Sequence, residues 1–67
     1  MNDTDAIKKT IKAHRESAIN LKRHIELYTP QNYSERKNQD ELIAQMYDCN
    51  RIADWLEELL MWRSQQL

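Results

Sequence analysis

The chain has 67 residues, 40% of them hydrophobic and 31% charged, with a net charge of −1, no glycine, one proline and one cysteine. A chain of this length allows one small domain, and such chains seldom bury enough apolar surface to stand alone without a metal, disulfides or a partner chain. One cysteine cannot close an internal disulfide and the near-neutral charge is not that of a generic nucleic-acid binder, so a disulfide scaffold and a polycation are excluded and a reducing, cytoplasmic setting is expected.

The first ten residues, MNDTDAIKKT, lack the apolar core of a signal peptide, and no run approaches bilayer-spanning length, so no membrane partner is expected. From there Ile7, Ile11, His14, Ala18, Leu21, Ile25 and Tyr28 recur at steps of four and three, which places them on one side of a helix. The spacing predicts helix 1 over about 5–28, with Asp3 or Asp5 capping its first amides and Pro30 stopping it near Tyr28 or Thr29. A turn over 29–33 follows, extending to 37 if the second helix begins late. Ser34 is the favoured cap; Asn38 with Glu41 three residues on is the alternative.

Helix 2, over about 34–65, repeats the rhythm with Leu42, Met46, Cys49, Ala53, Leu56, Leu60, Arg63 and Leu67. In an antiparallel hairpin the numbers of facing residues add to a constant, and here the constant is 67: Leu21 with Met46, Ala18 with Cys49, His14 with Ala53, Ile11 with Leu56, Ile7 with Leu60, Ile25 with Leu42. The fold class is therefore all-α, a single two-helix antiparallel hairpin over 1–67 that pairs into a four-helix bundle, with its fold-back centred between Tyr33 and Ser34. Residues 1–28 carry a net charge of +2 and residues 29–67 a net of −3, a split that suits segments lying side by side.

Helix 2 keeps apolar residues that one seam does not use. Ile52, Trp55, Leu59 and Trp62 form a second line beside it, and Met61 widens that line. This is the expected working surface, either the core between two copies of the hairpin or a dock for a larger client protein. The expected function is accordingly a non-enzymatic regulator, inhibitor or adaptor acting by protein contact as a homodimer.

Chemistry is sparse elsewhere. Cys49 should lie about one turn from His14 across the hairpin, but neither metal-binding spacing nor an orienting third residue accompanies them; no catalytic, metal or cofactor site is expected. Asp48, Asp54, Glu57 and Glu58 read as a solvated acidic face, with Lys8 near Glu57 as one interhelical bridge. Tyr28 and Tyr33 flank the turn, where they cover the end of the core or serve as tip contacts. Lys8, Lys12, Arg15 and Lys22 line one side of helix 1 and are the candidate nucleic-acid contacts. In length and heptad layout the chain is similar in outline to Rop-type helical-hairpin dimers, RNA-binding regulators of plasmid copy number. That resemblance implies the alternative function, a dimer gripping structured RNA with the basic side of helix 1.

Overall fold

The computed structural model describes residues 3–65; Leu67, the last member of the second stripe, lies outside them. Two helices, α1 (Asp3–Leu27) and α2 (Tyr33–Gln65), fold back on each other as an antiparallel hairpin. The molecule is a rod with principal extents of 54 × 18 × 14 Å. Its Cα radius of gyration is 15.6 Å, whereas a compact chain of this length would have about 11 Å.

The seam is the one read from the heptads. All twelve expected residues, from Ile7 to Ile25 on α1 and from Leu42 to Leu60 on α2, are buried or half-buried. Only Ala18 and Ala53, at 4% and 0% exposure, are fully enclosed. Side chains reduced to a methyl let the two backbones approach, and bulkier residues on either side then pack around that point. Among the described residues no large side chain is completely buried, because a two-helix seam has neighbours on one side only.

The turn departs from expectation in two respects. The non-helical link is residues 28–32, so the reversal is not centred between Tyr33 and Ser34: both belong to the first turn of α2. The cap of α2 is neither Ser34 nor Asn38 but Asn32, whose Oδ1 accepts the Glu35 amide at 2.9 Å and whose carbonyl accepts the Arg36 amide at 3.0 Å. Asn is as good an N-cap as Ser, and the Asn32/Glu35 spacing is that of a capping box six residues upstream of Asn38/Glu41.

Glycine is not needed to end α1. No described residue has a positive φ, and the terminal carbonyls are met instead by a side chain: Gln39 Nε2 donates to Ile25 O at 3.2 Å and to Tyr28 O at 2.9 Å. Glu35 accepts from the Gln31 amide at 3.3 Å and from the Tyr28 hydroxyl, and Gln31 Nε2 donates to Thr29 O at 3.1 Å. The link is held by these polar contacts from α2, with Pro30 half-buried between them. Asn32→Ala is expected to lower unfolding free energy by about 1 kcal/mol, while Ser34→Ala stays within about 0.5 kcal/mol; urea melts followed by circular dichroism at equal chain concentration compare the two.

Candidate interaction faces

Arg15 leaves α1 at the edge of the seam and reaches across to α2, where Asn50, Asp54 and Glu57 stand on successive turns of one row. Nη1 donates to Asn50 Oδ1 at 3.2 Å; Nη2 donates to Asp54 Oδ1 at 2.6 Å and to Glu57 Oε1 at 3.0 Å. The hydrogen bonds to Asp54 and Glu57, foremost, hold the guanidinium pKa above its ordinary value. Glu57 is thus the partner of Arg15, not of Lys8, and two of the four expected surface acids belong to an interhelical clamp. The reach of a six-bond side chain is why the pairing was misassigned: Arg15 meets three residues spread over two turns of α2, not one facing residue.

The basic side of α1 consequently splits. Arg15 is committed to α2, Lys22 lies 4.0 Å from Glu26 one turn on, and Lys8 and Lys12 are exposed. Two interhelical and one intrahelical ion pair therefore draw on the same row of cations that was a candidate for phosphate contacts.

The clamp also tells the two flanks of the hairpin apart. Asn50, Asp54 and Glu57 mark one flank of α2, and Met61, four residues beyond Glu57, continues that row. Ile52 and Leu59 fall on the opposite flank. Trp55 and Trp62, 62% and 59% exposed, sit at its outer edge. Met61 is exposed, but it does not widen the tryptophan face; it lies on the clamp side. Three exposed apolar residues were not singled out from the sequence. Ile19 and Tyr47 fall on the clamp flank near mid-hairpin, where single apolar residues off the heptad carry no periodic signal, and Leu27 closes α1 beside the turn.

His14 is half-buried, with Nδ1 2.9 Å from the Thr10 carbonyl. A carbonyl only accepts, so Nδ1 carries the hydrogen in this bond. Cys49 is a free, half-buried thiol. No group of three or more His, Cys, Asp or Glu side chains among the described residues is placed to hold a metal. At the turn, His24, Ile25, Tyr28, Glu35, Asn38, Gln39 and Leu42 line an open groove of about 210 Å³. Tyr28 gives its hydroxyl hydrogen to Glu35, while Tyr33 is exposed at the tip. No helix among the described residues is long and apolar enough to cross a membrane.

Compared with protein-family models, with curated proteins and with solved structures, the chain matches none of them.

Two outcomes follow from the polar contacts. Arg15→Gln is expected to lower the thermal midpoint. At about 1 M salt, where screening acts over roughly 3 Å, the gap between the variant and the wild type should narrow, because both carboxylates of the clamp are solvent-exposed. The second outcome concerns Tyr28, whose pKa is raised chiefly by its hydrogen bond to Glu35. A raised folded-state value favours the neutral phenol, so the stability this bond contributes is complete below the ordinary phenol pKa of about 10 and is lost as pH rises through the raised value. With Tyr33 and Tyr47 changed to Phe, absorbance at 295 nm should show Tyr28 ionising at lower pH when Glu35→Gln is added.

Proposed function

We propose that the chain is a small non-enzymatic protein-interaction module, a regulator, inhibitor or adaptor that binds a larger protein and does so as a homodimer. The observation that supports this is the exposure of Ile52, Trp55, Leu59 and Trp62 together along one stretch of α2. Scattered apolar residues are normal on a surface, whereas a contiguous set that includes two indoles is a feature of protein contacts. The chain's own seam is already filled without them. Grip on structured RNA, the alternative, has less to draw on once Arg15 and Lys22 are ion-paired.

Trp55→Ala combined with Trp62→Ala tests the assignment. Truncating an interface anchor costs about 2 kcal/mol or more, so the double variant should weaken self-association or client capture at least thirtyfold. Sedimentation gives the first and pull-down from the native host the second; both unchanged would remove this surface from consideration.

A further inference from the structure

The tryptophan-bearing flank has a counterpart on α1. Taking Arg15 as the marker of the clamp flank, steps of 100° per residue carry Ala6, Thr10, Ala13 and Ser17 onto the other flank, level with the stretch of α2 that holds Ile52 and Leu59. All four are exposed. One broad face of the rod therefore has small side chains along α1 and large apolar ones along α2. Nearer the turn the same face becomes polar, with Asn20 and His24 on α1 and Glu41 and Gln45 on α2.

We infer that this face is covered by a second copy of the chain, related by a two-fold axis running along the rod, so that each α2 packs over its partner's α1 and both turns lie at the same end. The inference rests on reading the tryptophan-bearing face as the working surface. Three features choose the occupant and its orientation.

The first is area. The chain exposes 5589 Å², against about 4,500 Å² for a compact monomer of its mass. Recovering that excess on each of two copies buries roughly 2,200 Å², which is the size of an obligate homodimer interface. The second is shape. An axis along the rod sets the large row of each α2 on the small row of the partner's α1, twice over, with the indoles folding over the rims. An axis across the rod would put large rows on large and small on small. The third is charge. α1 carries six Lys or Arg against four Asp or Glu, a net of +2, and α2 four against seven, a net of −3. An axis along the rod places unlike helices together, whereas one across it places like on like.

The test combines mass, orientation and a blocking substitution. Sedimentation equilibrium should give twice the 8.1 kDa of one chain. A spin label on Arg36→Cys in a Cys49→Ala background reports the distance between turns. With helices about 10 Å apart and a rise of about 1.5 Å per residue, turns at the same end put the labels roughly 30 Å apart, and any antiparallel arrangement about 45 Å or more. Thr10→Glu places a charge on the small row; Glu is a better helix former than Thr, so the hairpin keeps its helicity while the dimer dissociates. Ile19→Glu, on the clamp flank, should leave the dimer intact.

A monomeric wild type overturns the inference and leaves the tryptophan face open to a client. A dimer with the long label distance also overturns it, and so does one insensitive to Thr10→Glu. A dimer unweakened by Trp55→Ala with Trp62→Ala also overturns this inference, and the working surface on which it rests falls with it only if client capture is unchanged too.

Discussion

Everything in this molecule depends on the close approach of two helices at Ala18 and Ala53. A two-helix hairpin has one line of contact, and the dispersion and hydrophobic terms that hold it weaken steeply if the backbones part. Two alanines near the middle of that line remove the side-chain bulk that would otherwise keep the helices apart. The residues on either side, Ile11 and Leu21 on α1 and Met46 and Leu56 on α2, can then be long and flexible without opening the seam. The cost of this economy is shape. In a rod 14 Å thick, every large side chain among the described residues keeps at least one side toward solvent.

A line of apolar residues with a regular repeat is also ambiguous, since sliding one helix by a heptad would again bring apolar rows together. Polar contacts remove the ambiguity at two heights. Arg15 reaches three residues of one row on α2, and no other register offers it an amide and two carboxylates at the same spacing. At the turn, Gln39 meets two carbonyls at the end of α1 while Asn32 and Glu35 tie the link to the start of α2. Most of these bonds are exposed, two are part-buried and each is individually modest, but they discriminate among packings that the apolar seam alone would leave nearly equal.

The heptads made the seam legible because burial imposes a period, and a period survives in the sequence whatever the individual residues are. Both helices and their antiparallel fold-back follow from it, and the twelve heptad residues are buried or half-buried. What escaped has no period. Asn32 was passed over as a cap because Ser34 opens a stretch, ERKNQDEL, that contains no helix breaker. The partner of Arg15 was missed because a long side chain ignores the level rule that pairs short ones. Met61 was grouped with Trp62 on adjacency in sequence, yet neighbours in a helix point about 100° apart. The tryptophan face was readable as a surplus after the seam was filled, since Ile52 and Leu59 repeat at seven residues, but its flank could be named only once Arg15 had shown which side was which.

The difference between the two helices carries the last step. If the hairpin were complete in itself, its outward flanks would be under no common constraint, and small and large residues would be mixed along both. Instead the flank away from Arg15 has Ala6, Thr10, Ala13 and Ser17 on one helix and Ile52 and Leu59 on the other, confined to the same half of the rod. Side-chain volume on one helix is matched by its absence on its neighbour, which is how two packed surfaces are built when each must serve as both ridge and groove for an identical partner. In the proposed dimer, a chain too short to enclose a core supplies half of one.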